Sequence, residues 1–369
     1  MLIETIRQYI ADKNINIPAD AWARMKREYD KNDIINALAK IIADGEIQMP
    51  LKTITLEEAI SAEKELAKLE TSIKQGQFYT RYEVDNLSDY YFDESAQFNV
   101  ASNYFHQYSR FLCDSINSPS PYRIFHDEKF ARSMCGALFS LKCEQVDTAS
   151  LLSCLSLRKY IASQFKPSVA KAVYDFFKAE HVVDLCAGWG DRLAGFYASK
   201  YGKTYFGVDA NSNLQDGYTK QIQEYSKLFP DKSAQVIYGA TEDDNIVLPS
   251  CDLVFTSPPY FGIERYSKDD TQSYNRYRKL DGWLNGFLFP IVKKAADALV
   301  DGGHLVINVS DVYMNHQINR ICHPMIEYAE SIGLRLTNVY GMKMSKRINS
   351  MSVKDKLGVF CEPIYVFEK

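Results

Sequence analysis

The chain has 369 residues, a length that suggests two or three domains rather than one small core. Its content of 46% hydrophobic and 24% charged residues is that of a globular protein, and no run approaches the roughly 18 consecutive apolar residues of a membrane-spanning helix. The net charge of −4 argues against a uniformly basic surface and leaves any phosphate contacts to local basic clusters.

The amino terminus carries no signal-peptide pattern, so we expect a cytoplasmic protein without a membrane partner. The eight cysteines are scattered, with neither a Cys-x-x-Cys pair nor a histidine at zinc spacing. This distribution predicts reduced, mostly buried thiols and no metal site.

Residues 1–75 predict a mainly helical amino-terminal region. Apolar residues recur at helical spacing over 34–42, and Gly45 follows as a stop signal. Thr55 and Glu58 have the spacing of a capping box, which predicts a further helix through Leu69.

Residues 76–160 form an aromatic-rich region, with eleven aromatic residues between Phe78 and Phe111. One interpretation is a stacking surface for bases beside Arg81 and Arg110, which would make the region a target-recognition domain. The other, which the general role of aromatic residues favours, is a core packed with aromatic rings.

Two strand ends in the second half of the chain predict a nucleotide-type ligand site. Residues 181–184 form a β-branched run that ends at Asp184 and enters a glycine turn with Gly188 and Gly190. Glycine lets the backbone approach a ligand closely, and the helix that follows offers free N–H groups. A second strand over 204–209 ends in Asp209, in the position where an acidic residue usually holds ribose hydroxyls.

The stretch Thr256-Ser257-Pro258-Pro259-Tyr260 follows the apolar run 251–255, which predicts a buried strand ending in a stiff turn. The two prolines keep the turn extended, so that a backbone carbonyl can point into a cleft as a fixed acceptor. A hydroxyl before the turn and an aromatic ring after it suit a flat ring that carries an amino group.

Strands alternate with helices from residue 161 to residue 369, which predicts right-handed crossovers and a mostly parallel, doubly wound α/β sheet of Rossmann-like type. Ligands of such sheets bind at the carboxyl ends of the strands, where all the signature stretches lie. A dehydrogenase of the same fold class would explain neither the proline turn nor the absence of a full Gly-x-Gly-x-x-Gly.

Together, Asp-Leu-Cys-Ala-Gly-Trp-Gly and Thr-Ser-Pro-Pro-Tyr resemble the cofactor and catalytic loops of the S-adenosylmethionine-dependent DNA amino-methyltransferases. The resemblance covers residues 161–369 and implies a Rossmann-like class I methyltransferase domain. It implies S-adenosylmethionine as cofactor and double-stranded DNA with a flipped base as substrate. The implied catalytic residues are Ser257, Pro258, Pro259 and Tyr260. The implied cofactor-binding residues are Lys166, Asp184, Cys186, Ala187, Gly188, Gly190, Asp209, Thr241, Glu242 and Thr256.

In that family the Ser-Pro-Pro-Tyr form is associated more with N4 of cytosine, and an aspartate form more with N6 of adenine. We therefore expect methylation of cytosine N4. Adenine N6, an RNA base and a protein glutamine amide remain open, as does a catalytically idle DNA-binding scaffold, although a scaffold has no need of a cofactor pocket.

Basic residues near the proline turn are the candidate nucleic-acid contacts, against the simpler interpretation of solvated charged loops. One group interleaves arginine with tyrosine after the turn, and the other follows the last helix. The candidates are Arg265, Arg276, Arg278, Lys346 and Arg347.

Overall fold

The computed structural model describes residues 1–93, 96–115, 118–157, 161–344 and 357–369. Short 3₁₀ turns lie at Ala96–Asn99 and Ser212–Leu214, and a π-helical turn lies at Leu284–Leu288. The α-helices are α1 Leu2–Arg7, α2 Ala19–Glu28, α3 Lys31–Ala43, α4 Leu56–Lys68, α5 Val100–Phe111, α6 Pro121–Ile124, α7 Glu128–Ser140, α8 Thr148–Leu157, α9 Pro167–Phe177, α10 Asp191–Ala198, α11 Gln215–Leu228, α12 Ser273–Arg276, α13 Leu280–Trp283, α14 Phe289–Ala298 and α15 Cys322–Ser331. The strands are β1 Ile10–Ala11, β2 Asn14–Ile15, β3 Ile73–Gln75, β4 Phe78–Tyr79, β5 Leu87–Phe92, β6 Asp114–Ser115, β7 His181–Asp184, β8 Thr204–Asp209, β9 Ser233–Tyr238, β10 Cys251–Thr256, β11 Glu264–Arg265, β12 Leu299–Asn308, β13 Val312–Met314, β14 Gln317–Asn319, β15 Arg335–Lys343 and β16 Val359–Glu368.

The chain divides into two compact units, and both are discontinuous in sequence. The helical unit comprises residues 1–53, 107–163 and 265–267, and the sheet unit comprises 54–106, 164–264 and 268–369. This grouping differs from the predicted boundaries at 75 and 160. The physical reason is that strands and helices before residue 107 pack with the sheet, although they precede it by many residues in the chain.

The helical unit has its own apolar core. Ile34, Leu38 and Ile41 of α3 are buried and pack in one cluster with Met134 and Leu138 of α7. Aspartate side chains cap both helices: Asp30 accepts from the backbone N–H of Asn32, and Asp127 does the same for Lys129. Among the residues that the structure describes, every helix is too short or too polar to span a bilayer.

Ten strands of the described residues form the central sheet of the other unit, in the order β3-β5-β15-β16-β12-β10-β7-β8-β9, with β4 paired to β16. The pairs β12–β10, β10–β7, β7–β8 and β8–β9 are parallel, whereas β16 runs antiparallel to β12 and β15. The predicted α/β class with a doubly wound, mostly parallel sheet is confirmed, since neighbouring residues of β10 face helices on opposite sides. Val254 joins the core formed with α14 and α15, while the Phe255 ring lies 5.7 Å from that of Tyr174 on α9.

The register of the parallel strands brings their carboxyl ends to one edge. Val254 pairs with Val183, Asp184 with Gly207, and Thr256 with Ile307. The residues that follow β7, β8, β10 and β12 therefore lie side by side at this edge, where ligands of such sheets bind.

The aromatic-rich segment proves to be largely structural within the sheet unit. Phe78, Tyr79 and Phe92 are buried in strands that extend the sheet, as the interpretation of an aromatic core predicted. Tyr90 and Tyr104 remain exposed. The region 76–160 does not form one body, since residues 107–163 belong to the helical unit.

Candidate active site

The glycine turn after β7 has the backbone shape that only glycine adopts without strain. Gly188 and Gly190 have φ values of +66° and +72°, in the left-handed region. The Ala187 N–H donates to the Val208 carbonyl at 2.9 Å, which ties the turn to the neighbouring strand. Burial raises the pKa of the Cys186 thiol well above its usual range, so this side chain stays neutral.

Asp209, at the end of β8, is bonded directly to the glycine turn. One carboxylate oxygen accepts from the Gly188 N–H at 2.7 Å, and the other accepts from the Asn211 N–H at 2.9 Å. Burial raises the Asp209 pKa to about 6, although these two N–H donors lower it. Each oxygen keeps lone-pair capacity for a further donor, as a ribose diol would require.

Asp184, predicted to contact the cofactor, is fully buried and has other partners. Its carboxylate accepts from Arg192 Nε at 2.7 Å and from the Tyr205 hydroxyl at 2.8 Å. The Arg192 guanidinium also donates to the Cys186 carbonyl. Asp184 thus fixes the glycine turn from behind through Arg192, which is a supporting position rather than one that faces a ligand.

A support that the sequence interpretation missed comes from α5 and α11. Gln221 of α11 donates its amide N–H to the Gly190 carbonyl and accepts from His106 Nε2 of α5 at 2.9 Å. The His106 ring is buried, and burial lowers its pKa to about 4, so it is neutral and carries its proton on Nε2. A Cβ on either Gly190 or Gly217 would lie 2.6 Å from this ring, so both positions require glycine.

Asp191 begins the helix after the turn and is held by residues from distant parts of the chain. The Ser102 hydroxyl donates to Asp191 Oδ1 at 2.5 Å, and the Gln164 amide donates to the same oxygen at 2.8 Å. No local pattern marks Ser102 or His106 as part of the site, because both lie more than 80 residues before the turn that they support.

Thr241 and Glu242, the residues predicted to lie near an adenine ring, follow β9. The Thr241 hydroxyl donates to the Leu185 carbonyl at 2.5 Å, so it supports the turn. The Glu242 carboxylate accepts from Arg276 Nη1 at 3.2 Å, and burial raises its pKa. Arg276 also forms a closer ion pair with Asp243.

The proline turn leaves β10 beside the glycine turn, with Thr256 at its base. Thr256 is fully buried, and its hydroxyl has no hydrogen-bond partner among the described residues. An orphaned hydroxyl at this edge, two left-handed glycines and the Asp209 carboxylate fit a ligand with ribose and amino-acid donors. These residues therefore fit S-adenosylmethionine.

Both ends of the proline turn, residues 257–260, are anchored by other strands. The Ser257 hydroxyl lies 3.4 Å from Asn308 Oδ1 at the end of β12, and Asn308 Nδ2 donates to the Pro363 carbonyl at 2.9 Å. The Tyr260 N–H donates to Glu264 Oε2 at 2.9 Å, and the Tyr260 hydroxyl donates to the Glu362 carboxylate. Burial raises the pKa of both Tyr260 and Glu362.

Lys166, also predicted to bind the cofactor, stands before α9 as its N-cap residue. Its ammonium donates to the Lys343 carbonyl at 2.7 Å, so it links α9 to β15. The neighbouring Phe165 ring packs against Phe255 at 5.7 Å and lies 5.4 Å from the Arg192 guanidinium.

The predicted nucleic-acid contacts have different surroundings. Arg276 is held by Asp243 and Glu242, which gives it a structural role. Arg278 is exposed and lies 4.8 Å over the Tyr274 ring, while Arg265 belongs to the helical unit. Lys346 and Arg347 lie outside the described residues.

The sheet order, the glycine turn and the acidic strand end are those of a Rossmann-like methyltransferase fold, and a family match supports an S-adenosylmethionine-dependent methyltransferase. Residues 251–369, which include the proline turn, match the model of a family described as DNA methylase, of the N6-adenine and N4-cytosine type. This match confirms the resemblance to the amino-methyltransferases and supports S-adenosylmethionine as the cofactor. No curated protein matches the chain.

Several solved structures share part of the fold at low identity. TrmN from Thermus thermophilus is 13% identical with a TM-score of 0.35, over 61% of this chain and 55% of TrmN. A methyltransferase from Pyrococcus furiosus is 13% identical with a TM-score of 0.35, over 60% of this chain and 96% of that one. NodS from Bradyrhizobium japonicum, solved with S-adenosyl-L-homocysteine, is 10% identical with a TM-score of 0.33, over 52% and 78%. The fold assignment rests on strand order and register.

Proposed function

We propose that this protein methylates the exocyclic amine of a base in DNA, with N4 of cytosine as the preferred position. The observation that carries the proposal is the adjacency of two turns at one sheet edge. The Ser257-Pro258-Pro259-Tyr260 turn follows β10, and the glycine turn follows β7, its direct neighbour. A methyl donor and an amine acceptor bound there would meet without either being moved.

In this proposal the cofactor lies along the glycine turn. Gly188 and Gly190 let the cofactor approach the protein backbone closely, and the Asp209 carboxylate accepts hydrogen bonds from the ribose hydroxyls. Thr256 supplies a further hydroxyl. Bound there, S-adenosylmethionine would supply a methyl group on a sulfonium sulfur. The sulfur would leave as a neutral thioether as the amine lone pair forms the new carbon–nitrogen bond.

The acceptor base is flipped from the duplex and stacks on the Tyr260 ring. Its amine donates to the Ser257 hydroxyl and to a carbonyl of the Pro258 turn, which directs the nitrogen lone pair toward the methyl carbon. The hydrogen bonds to Glu264 and Glu362 support this role, because they fix the Tyr260 ring at both its backbone and its hydroxyl. Positioning then supplies most of the rate enhancement.

The serine before the two prolines favours cytosine over adenine by resemblance to the family. The phosphate contacts of this proposal come from exposed basic residues, of which Arg278 is one among the described residues. Arg276 is a weaker candidate, since contact with phosphate would cost its ion pair with Asp243.

The test is transfer of labelled methyl from S-adenosylmethionine to double-stranded DNA, single-stranded DNA, RNA and protein, followed by nucleoside analysis. N4-methylcytosine in DNA is the expected product. N6-methyladenine would keep the mechanism and correct the base, whereas label in RNA or protein would overturn the proposed substrate. Cofactor binding with no label anywhere would favour the scaffold.

A further inference from the structure

The closing strand of the sheet places a carboxylate beside the proline turn. Since β16 runs antiparallel to β12, it enters the sheet at the edge where the parallel strands end. Asn308 pairs with Ile364, which puts Glu362 just beyond the end of β12. Burial raises the Glu362 pKa, while the hydrogen bond from the Tyr260 hydroxyl and the nearby Asn308 side chain lower it.

These two neighbours of Glu362 mark the opposite ends of the proline turn. Tyr260 is its last residue, and Asn308 is the residue whose Oδ1 faces the Ser257 hydroxyl at its start. Glu362 is therefore held across the proline turn, between the residues that begin and end it. The side chain is only partly covered, as is Tyr260.

Other charged groups act on Glu362 from neighbouring segments. The Glu264 carboxylate raises its pKa, and the Arg81 guanidinium lowers it, while burial is the largest influence and raises it. Glu264 itself accepts from the Tyr260 N–H at 2.9 Å. Two carboxylates thus flank Tyr260, and the Arg81 guanidinium acts on one of them.

We propose that Glu362 is the proton acceptor for the methylated amine and that it recognises an amino group in preference to a carbonyl. This inference rests on the proposed function. As the nitrogen bonds to the methyl carbon it changes from a neutral amine to a cation. One N–H bond then breaks, its electron pair stays on nitrogen, and the proton forms an O–H bond with Glu362. The products are a neutral secondary amine and a protonated carboxyl.

The chemistry favours a carboxylate at this point over a neutral side chain. A fixed negative charge stabilises positive charge that develops only as the reaction proceeds, which is the requirement for catalysis. Before reaction the N–H directed at Ser257 is shared with this oxygen, since the amine has only two N–H groups and the other donates to the turn carbonyl. A base that carries a carbonyl in place of the amine would bring its oxygen against the Glu362 carboxylate. Both oxygens are acceptors, so the site would bind that base poorly.

The alternative is that Glu362 only holds Tyr260 in place, and two variants separate these roles. Tyr260→Phe removes the hydroxyl but leaves the carboxylate, and Glu362→Gln removes the charge but keeps the shape. We expect Glu362→Gln to lower kcat by about 100-fold, with unchanged cofactor affinity, and Tyr260→Phe to lower it much less. Equal losses in the two variants, or an unchanged kcat in Glu362→Gln, would overturn the proposal.

The pH profile gives a second readout. Below its pKa the Glu362 carboxyl already holds a proton and cannot accept another, so wild-type kcat falls on the acid side. This limb should be missing in Glu362→Gln and present in Tyr260→Phe. Glu368→Gln is the matched control, because Glu368 lies on the same strand but pairs with Arg335 away from the turn. An acid limb that persists in Glu362→Gln would rule out the proton-acceptor role.

A binding measurement tests recognition without turnover. Single-stranded homopolymers of dC and dU, and of dA and dI, are compared on the full chain in the absence of methyl donor. We expect the wild type to prefer the amine-bearing member of a pair, and Glu362→Gln to lose that preference. The same preference in both proteins would contradict recognition by Glu362. If the preference is lost in the variant but wild type methylates no base, the proposed function fails and amine recognition stands.

Discussion

Asp209 accepts a hydrogen bond from the Gly188 N–H at 2.7 Å, so the acidic end of β8 and the glycine turn after β7 form one structural unit. The same carboxylate is the proposed acceptor for the cofactor ribose. The ionised Asp209 carboxylate therefore both holds the glycine turn and accepts from the ligand in this proposal. Because its pKa is raised to about 6, this coupling falls in an accessible pH range.

We expect the affinity for S-adenosylmethionine to fall as the pH drops through about 6. The sign follows from the raised pKa: above it the carboxylate is ionised and accepts from ribose, and below it the bound proton must first be lost. Calorimetric titration at pH values on both sides of this point measures the effect. Asp209→Asn should bind at least about tenfold more weakly and lose the pH dependence.

The control for that experiment is Asp216→Asn, which removes an exposed carboxylate on α11. It should retain both the affinity and the pH dependence of the wild type. A pH-independent affinity in the wild type would show that Asp209 is not the ribose acceptor.

Gly190→Ala should destabilise the sheet unit. Alanine would have to adopt φ near +72°, and its Cβ would overlap Gln221 and the His106 ring. The backbone cost is about 1–2 kcal/mol and the overpacking about 1–3 kcal/mol more. Urea denaturation measures the change in the free energy of unfolding.

Gly302→Ala is the matched control, because Gly302 also has a positive φ of +75° but no atom of the described residues within 4 Å of the added Cβ. It should show the backbone cost alone. Combining Gly190→Ala with His106→Ala should recover part of the loss. Equal losses for the two glycine variants would show that the ring contact carries no cost.

Tyr260→Ala should remove the stacking free energy of one base, about 1–3 kcal/mol. This loss corresponds to a kcat/KM lowered by roughly 5- to 150-fold. Cofactor affinity should stay unchanged, since the ring contacts the acceptor base in the proposed function. Steady-state kinetics on the methylated nucleic acid measure the loss. A Tyr260→Ala protein with wild-type kcat/KM would contradict the stacking role.

Glu63 predicts a stability that falls as the pH rises. Its side chain on α4 is fully buried, and neither carboxylate oxygen has a hydrogen-bond partner among the described residues. Burial raises its pKa well above the usual value of 4.5, against the charge of Lys232, which lowers it. The folded protein thus keeps a proton that the unfolded chain loses, and the free energy of unfolding decreases with pH across that window.

Glu63→Gln cannot ionise, so it should be more stable than the wild type at neutral pH, by about 1.4 kcal/mol for each unit of raised pKa. Denaturation at several pH values checks the prediction. Glu65→Gln, at an exposed position of the same helix, should change the stability little at any pH. A wild type and a Glu63→Gln variant with parallel pH profiles would contradict the buried acid.

The sheet could be predicted from the sequence where its signals are local. The strand over 204–209 and the helix start at Thr55 agree with the structure to the residue, because a β-branched run and a capping box are each complete within a few positions. The strand at 251–256 ends where Pro258 and Pro259 require it to end. The glycine turn and the proline turn at this edge could be predicted for the same reason, because glycine and proline mark turns locally.

The contacts that hold the site could not be predicted, because they join distant segments. His106 and Gln221 are separated by 115 residues, and a buried histidine in an aromatic run shows no pattern that points to a glycine turn. The sequence around Glu362 is that of an ordinary closing strand, and nothing in it points to the proline turn. The ion pairs of Arg276 with Glu242 and Asp243 could not be predicted either, because these two carboxylates follow another strand.

The hydrogen bond from Gln164 to Ser102, 3.1 Å long, joins residues 62 positions apart in the chain. Both side chains also bond to Asp191, so the two ends of this excursion are held together at the first residue of α10. Closing a longer excursion costs only about 0.6 kcal/mol for each doubling of its length. A change in length between His106 and Gln164 should therefore cost little and leave the first residue of α10 in place.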